Sequence, residues 1–209
     1  HKLYFNPSLR YSEDIDLVQI ETGPVGPIFD GLREALDPLL GKPRRKQGPG
    51  VVALTYRVES EIPPITPLKL KVKINSREHF AVFGVQRKRF DLDSPWLTAS
   101  CDIGTFCLEE LLGTKMRALY QRRKGRDLFD LWLGLTEGQA EPPRIVEYFR
   151  RYMEHSGQTV SRGDFELNLA AKREHPGFSA DLRDLLPVGT GYDVEAAFAI
   201  VERDLVGRL

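Results

Sequence analysis

Two aspartates near the start of the chain have the residue type and spacing of a metal site. Asp14 and Asp16 flank a single residue, and segment 14–21 has the alternating pattern of a β-strand. Because strand side chains alternate between faces, both carboxylates are predicted to point the same way, and Ile15 and Leu17 are predicted to point the other way into a core. Neighbouring carboxylates repel each other unless a cation lies between them, and Mg²⁺ binds carboxylate and phosphate oxygens. The pair is interpreted either as a metal site or as the solvated end of a strand.

A second candidate site lies in segment 109–132, which combines an apolar helical stripe with the most basic stretch of the chain. Lysine and arginine match phosphate oxygens, so this stretch is interpreted as a phosphate-binding surface or as a solvated helix face. Asp127 and Asp130 are predicted to lie in the first turn of the next helix, where both would complement its N-terminus. Alternatively, Asp127 holds Lys115 or a catalytic arginine in place. The basic residues are Lys115, Arg117, Arg122, Arg123, Lys124 and Arg126.

The length, composition and cysteine content limit the classes of protein to which the chain can belong. A length of 209 residues with 41% hydrophobic residues is enough for one domain or two small ones. Lys+Arg and Asp+Glu both number 30, so the net charge says nothing about partners. No apolar run approaches the ~20 residues that span a bilayer, and Cys101 and Cys107 match no zinc pattern. We expect a cytoplasmic protein with two free thiols and no membrane partner.

The order of the predicted elements indicates an α+β fold. Alternation predicts strands over 14–21, 51–59 and 68–76, and a further strand over 81–87, whereas helical spacing predicts a helix from about residue 28 to Gly41. The basic segment 42–50 is rich in glycine and proline and is predicted to be a loop, and residues 1–5 are predicted to end a helix. Later helices are predicted over 108–121, 127–136, 142–156, 161–174 and 193–207, with Thr105 and Ser161 as caps.

These elements predict two domains. Residues 1–103 would form a small mixed sheet with flanking helices, and residues 104–209 would form a helical lobe.

Three motifs in this order resemble the AbiEii/AbiGii-type toxin family, over roughly residues 1 to 155. They are Ser12-Glu13-Asp14-Ile15-Asp16-Leu17, Lys71-Val72-Lys73-Ile74-Asn75-Ser76-Arg77-Glu78, and the segment from Glu109 through Lys115 to Leu131. The co-occurrence of the three is far more specific than any one of them.

The resemblance implies a polymerase-β-like nucleotidyltransferase core and a helical lobe. It implies transfer of a nucleotide from an NTP, bound with Mg²⁺, to an acceptor, which in some members is the end of a tRNA. Members are toxins, so a cognate antitoxin is an expected partner. In the family pattern Asp14 and Asp16 match the catalytic, metal-binding aspartates. Lys115 matches a lysine that contacts the triphosphate, and Asp127 matches an acidic catalytic residue.

Four further residues are expected to bind substrate phosphates. They are Ser12, Lys71, Arg123 and Arg126.

Two departures from the family pattern bear on activity. The family's Gly-Gly-Ser/Thr motif, which cradles phosphates, precedes the position that matches His1, so we expect weakened phosphate binding in a truncated core. Lys73 stands where related sequences often carry a third carboxylate. It is interpreted either as a cation paired with Asp14 or Asp16, which would weaken the Mg²⁺ site, or as a solvent-facing strand residue.

The leading hypothesis is a toxin-like nucleotidyltransferase that uses an NTP and acts on RNA such as tRNA. The alternative is a degenerate member that binds RNA or protein without turnover, so enzymatic activity stays open. A metal-dependent nuclease using Asp14, Asp16 and Lys71 leaves the downstream lysine and aspartate without a role. A glycosyltransferase has no support beyond the aspartate pair.

Overall fold

The computed structural model describes residues 1–12, 14–48, 50–95, 97–178 and 180–209. The backbone forms two compact units, which we call the sheet unit and the helical unit. The sheet unit comprises Ser12–Phe80, and the helical unit comprises His1–Tyr11 and Ala81–Leu209. Compactness does not establish which segments fold alone, so the predicted boundary between residues 103 and 104 stays a prediction.

The sheet unit contains four strands and one long helix in its described residues. The strands lie in the order β1-β4-β3-β2, with β1 parallel to β4 and the other neighbours antiparallel. The small mixed sheet predicted from the sequence is therefore confirmed. The elements are β1 (Asp14–Val18), α1 (Gly26–Leu40), β2 (Arg44–Gly48), β3 (Val51–Glu59) and β4 (Pro67–Asn75).

One face of this sheet is apolar and is covered by α1. Every second residue of β3 and β4 points to this side, as the period of a strand requires. Phe29 of α1 packs against these side chains and is 3% exposed. The opposite face is therefore left for polar residues. The buried strand residues are Val52, Leu54, Tyr56, Val72 and Ile74.

Two local predictions in the sheet unit are wrong. Segment 42–50 is not a loop, because Arg44–Gly48 forms strand β2 and pairs with β3; Pro49 lies outside the described residues. Charged residues are common on edge strands, where the composition resembles that of a loop. Ile15 was expected in the core, but it is 43% exposed because β1 is the other edge of the sheet.

In the helical unit, the segment Ala81–Leu209 forms first a β-hairpin and then a series of helices. The predicted long helices are all confirmed to within three residues at each end. The strand predicted over 81–87 is wrong over 81–85, because the first strand of the hairpin begins only at Gln86. The rest of the hairpin was not predicted, because its strands carry little apolar alternation and stay exposed. Its elements are β5 (Gln86–Asp93), β6 (Thr98–Thr105), α2 (Leu108–Gln121), α3 (Gly125–Thr136), α4 (Pro142–His155), α5 (Arg162–Arg173), α6 (Ala180–Arg183), α7 (Val194–Asp204) and a 3-10 helix (Val206–Arg208).

The helix starts were predicted with mixed success. Ser161 caps α5, and Asp164 completes the expected capping box. Thr105 does not cap α2, which begins after Cys107 without a side-chain cap. Residues 1–5 form turns rather than the end of a helix. In the described part of the chain, no helix combines the length and the apolar character needed to cross a membrane.

Helices α2 and α4 approach each other at Gly113. A Cβ added to Gly113 would lie 2.7 Å from Tyr148 Cβ and 3.0 Å from the backbone nitrogen of Phe149. Contacts this short leave no room for a methyl group, so the missing side chain sets the distance between the two helices. This packing matters for the site because α2 carries Lys115.

We expect Gly113→Ala to lower the free energy of unfolding by about 1–3 kcal/mol, because the added methyl group overpacks a contact with backbone. Urea unfolding followed by circular dichroism measures the change. Gly163→Ala is the matched control, since the nearest atom to its new Cβ is 3.9 Å away. The control should be neutral or stabilising, by up to ~1 kcal/mol. Equal destabilisation of both variants would contradict the packing argument.

Candidate functional site

Asp14 and Asp16 of β1 meet the ammonium group of Lys73 of β4. Lys73 Nζ donates a hydrogen bond to Asp14 Oδ2 and lies 3.5 Å from Asp16 Oδ1. The Lys73 and Asp14 side chains are 29% and 25% exposed, whereas the Asp16 side chain is 73% exposed. Of the two interpretations of Lys73, the structure supports the cation paired with the aspartates.

The pairing of β1 with β4 explains this contact. The strands run parallel, with Asp14 opposite Lys71 and Asp16 opposite Lys73. Paired residues of neighbouring strands project from the same face, about 5 Å apart. A lysine stem is long enough to turn back along the strand, so Lys73 reaches both carboxylates.

The residues around Asp14 do not fit a resident Mg²⁺ ion. Mg²⁺ requires near-octahedral oxygen ligands at about 2.0–2.1 Å. An ion between Asp14 and Asp16 would lie against the Lys73 ammonium, which is a cation and has no lone pair to offer. Within the described ranges, no three His, Cys, Asp or Glu residues are grouped so that they could hold a metal ion. The expected Mg²⁺ site is therefore not supported by this donor set.

The polar face of the sheet carries a group of cations beside these aspartates. Alternate residues of β2, β3 and β4 point to this face around a shallow floor formed by Ala53 and Thr55. They border an open cavity of about 500 Å³. Lys73 is the member that pairs with carboxylates, and in the described parts of the chain the others form no ion pair. We call this the basic sheet face; it consists of Arg44, Lys46, Arg57, Lys69, Lys71 and Lys73.

In the helical unit, Asp127 is fully buried and is held by two cations. Arg122 binds it through two hydrogen bonds, Nε to Oδ2 at 2.6 Å and an Nη2 donor to Oδ1 at 2.7 Å. Lys115 Nζ lies 3.5 Å from Asp127 Oδ1. A buried carboxylate without such partners would be very costly. Asp127 thus contacts both Lys115 and an arginine, the two partners that the sequence suggested for it.

Asp130, one turn further along α3, completes this cluster. Arg10 binds it with Nε to Oδ1 at 2.7 Å and Nη2 to Oδ2 at 2.9 Å, and Lys115 Nζ lies 2.9 Å from Oδ2. Arg10 and Asp130 are almost fully buried, whereas the Lys115 side chain is 33% exposed. Lys115 is therefore positioned by two carboxylates and keeps part of its surface open to solvent.

The charges around Asp130 determine its protonation. Burial raises the pKa of Asp130, but the nearby Lys115 ammonium and the hydrogen bonds from Arg10 and Lys115 outweigh it. The net result is a pKa below the usual range of an aspartate. The cluster consequently keeps its carboxylate ionised at neutral pH, which holds the Lys115 side chain in place.

The sequence matches the family model of the nucleotidyl transferase AbiEii toxins, type IV TA system, over residues 2–200. The chain belongs to this family. The resemblance noted in its three motifs is thus confirmed, and the match extends beyond residue 155, the end of the stretch over which that resemblance was noted. No curated protein and no solved structure matches the chain significantly.

Among the predicted site residues of this AbiEii family member, two pairs are brought together. Asp14 and Asp16 meet at Lys73 in the sheet unit, and Lys115 meets Asp127 in the helical unit. Their catalytic and metal-binding roles stay predictions, because contacts alone do not identify a reaction.

The four predicted phosphate-binding residues have different surroundings. Ser12 is partly buried just before β1, and Lys71 belongs to the basic sheet face. Arg126 Nε lies 3.7 Å from Asp181 Oδ2, so its charge is partly engaged. Arg123 is exposed and, among the described residues, forms no ion pair. The structure thus leaves Lys71 and Arg123 more open to an anion than Arg126.

Sequence reasoning missed Arg10 and undervalued Asp130. Asp130 lies between apolar residues of a buried helix, and a carboxylate in such a place signals a buried cation partner. Arg10 carried no signal, since its partner is 120 positions away in the chain. The basic sheet face was also missed, because Arg44 and Lys46 were assigned to a loop.

We expect Asp130→Asn to lower the free energy of unfolding at pH 7 by about 3 kcal/mol, because Arg10 and Lys115 lose their common carboxylate. The folded pKa of Asp130 is lowered. Its stabilisation is therefore complete above about pH 4, the value for an unfolded aspartate, and is lost as the pH falls through the folded pKa. Urea unfolding of wild type and variant between pH 7 and pH 3 measures how their free energies of unfolding change with pH.

The difference between the two proteins should shrink below about pH 4. Asp184→Asn, which changes an exposed side chain of the same unit, is the control and should stay within ~0.5 kcal/mol of wild type. A difference that is constant over the whole pH range would contradict the assignment.

Proposed function

We propose that this AbiEii family member transfers a nucleotide from an NTP to an RNA acceptor such as tRNA, as a toxin that a cognate antitoxin controls. The family supports the nucleotidyltransferase type and the toxin–antitoxin setting. The basic sheet face beside Asp14 and Asp16 is the observation that supports RNA as the acceptor. Nucleotide and acceptor would thus meet at a surface suited to phosphates.

The spacing of the cations suits a polynucleotide backbone. Lys69, Lys71 and Lys73 follow each other at every second position of β4, which places successive side chains about 7 Å apart. Arg44 and Lys46 form a parallel row on β2, two strands away and thus about 10 Å across the floor. Rows of donors with such intervals match a chain of phosphates better than a single small anion.

The chemistry of the face also favours RNA over a protein partner. The cores of protein interfaces are depleted in lysine and enriched in aromatic residues. Here four of the six cations are lysines, and the floor consists of small residues such as Ala53 and Thr55. Since no aromatic side chain is among the described residues that border it, the face would read phosphates and not sequence.

Transfer requires one bond to form and another to break. A hydroxyl oxygen of the acceptor attacks the α-phosphorus of the NTP, the bond to pyrophosphate breaks, and the hydroxyl proton leaves. Asp16 is the more exposed carboxylate of the pair and is the candidate to accept this proton. Mg²⁺ enters as part of the substrate, as the usual counter-ion of an NTP.

Lys115 is the candidate to bind the triphosphate. Its ammonium group has three donors, and the carboxylates of Asp130 and Asp127 hold it at 2.9 and 3.5 Å. Because a third of the side chain is exposed, an anion can still reach it. Asp127 acts in this proposal as a positioning residue for Lys115 and Arg122.

The second candidate function is a degenerate member that binds RNA without turnover. The contact of Lys73 with Asp14 favours it, since an ammonium group occupies the place where nucleotide transfer would use a metal. Both candidates share the basic sheet face and differ in whether a covalent product forms.

We expect the protein to transfer label from NTPs labelled at the α-phosphate to total tRNA, in Mg²⁺ buffer. Asp16→Asn should lower the rate by about 100-fold or more, because the accessible carboxylate is lost. Gel electrophoresis of the RNA measures the product. Asp30→Asn, an exposed carboxylate of the same unit, should keep the wild-type rate. RNA binding by the wild type without any labelled product would favour the degenerate member.

We expect RNA affinity to fall with salt, with the logarithmic slope rising by about 0.7 per phosphate contact. The triple variant Arg44→Ala, Arg57→Ala and Lys69→Ala should reduce that slope by about 2, measured by fluorescence anisotropy with a labelled RNA oligonucleotide. Its control removes three exposed arginines elsewhere, Arg89, Arg162 and Arg203, with the same change in net charge. Equal slopes for the two triple variants would count against the basic sheet face.

A further inference from the structure

We infer that the Lys73 ammonium is a built-in cation that takes the place of a resident divalent metal between Asp14 and Asp16. The sheet unit would then bind its carboxylate pair to its own lysine and hold no metal ion there. This inference concerns the pair itself and does not depend on whether the protein transfers nucleotides.

The first support is the position of the ammonium group. Lys73 Nζ bonds Asp14 Oδ2 and lies 3.5 Å from Asp16 Oδ1, so it lies where a shared cation would lie. Its side chain is only 29% exposed, and Asp14 is equally shielded. A charge pair that is partly buried is less screened by salt than an exposed one. Lys73 is therefore held in the pair.

The second support is electrostatic. A divalent ion bound to Asp14 and Asp16 would have oxygen contacts of about 2 Å. The ion would then lie within about 4 Å of Lys73 Nζ. At that distance the divalent ion and the ammonium group repel each other strongly, because protein screens charges less than bulk water does. Metal and ammonium consequently compete for the same two carboxylates, and the ammonium is attached to the protein.

The third support is the set of ligands. In the described residues no third His, Cys, Asp or Glu joins the two aspartates in a group that could hold a metal ion. Lys73 itself occupies the neighbouring position on β4, directly opposite Asp16. A carboxylate at residue 73 would be the third oxygen ligand that the site lacks. One side chain thus decides whether the pair binds a metal.

The experiment measures Mn²⁺ binding to the full chain, by calorimetry and by electron paramagnetic resonance of free Mn²⁺. Mn²⁺ is the probe because it has the ligand preference of Mg²⁺ and an observable signal. Wild type should show no saturable site at millimolar Mn²⁺. Lys73→Glu should bind Mn²⁺ at least tenfold more tightly than wild type, and adding Asp16→Asn should abolish the gain.

Lys69→Glu is the matched control. It makes the same change of charge on the same strand and face, but it lies opposite Arg57 rather than an aspartate. It should bind Mn²⁺ no better than wild type. If the Mn²⁺ affinity of Lys69→Glu rises as much as that of Lys73→Glu, the rise is an effect of net charge, and the proposal is overturned.

Lys73→Met keeps the experiment decisive where the glutamate variant does not fold. Without the ammonium group, the aspartates repel each other, so millimolar Mn²⁺ should raise the melting temperature of Lys73→Met but not that of wild type. Saturable Mn²⁺ binding by wild type that Asp16→Asn removes would overturn the proposal. Loss of nucleotide transfer leaves these outcomes unchanged, so the two proposals fail separately.

Discussion

The parallel pairing of β1 with β4 is the constraint on which the sheet unit depends. Its register places Asp14 opposite Lys71 and Asp16 opposite Lys73. Since strand residues alternate between faces, the register also places the aspartates on the side opposite the apolar face that α1 covers. A shift by one residue would turn the aspartates into that apolar face. The contact of the carboxylate pair with Lys73 therefore follows from this one pairing, whereas the basic sheet face follows from the pairing of β2 with β3 and of β3 with β4.

The helical unit is organised by a different requirement, the pairing of buried carboxylates. Asp127 and Asp130 lie on the buried side of α3, and burial without cations would be prohibitive. Lys115 and Arg122 therefore contribute much of their charge to internal pairs. The basic stretch from 115 to 126 consequently has less unpaired positive charge than its composition indicates. The basic sheet face keeps more of its positive charge unpaired, since in the described residues only Lys73 pairs with carboxylates there.

Membership of the AbiEii family indicates the type of protein, whereas the contact of Lys73 with the aspartate pair concerns how charge is neutralised at the site. The family establishes a nucleotidyltransferase type of toxin. The contact between Lys73 and the aspartates concerns how such a protein neutralises charge at its carboxylates. If the pair is neutralised by lysine, the metal that accompanies an NTP belongs to the substrate.

The sequence by itself determined the α+β class, the long helices, the cap at Ser161 and the family, because these depend on local periodicity and on motifs in order. It also placed Asp14 and Asp16 on one face of a strand, which needs only the alternation of side chains. Only the tertiary structure decided that Lys73 joins this pair, that residues 44–48 form a strand, and that Arg10 neutralises Asp130. These features depend on strand register and on contacts between residues distant in the chain, about which local sequence carries no information.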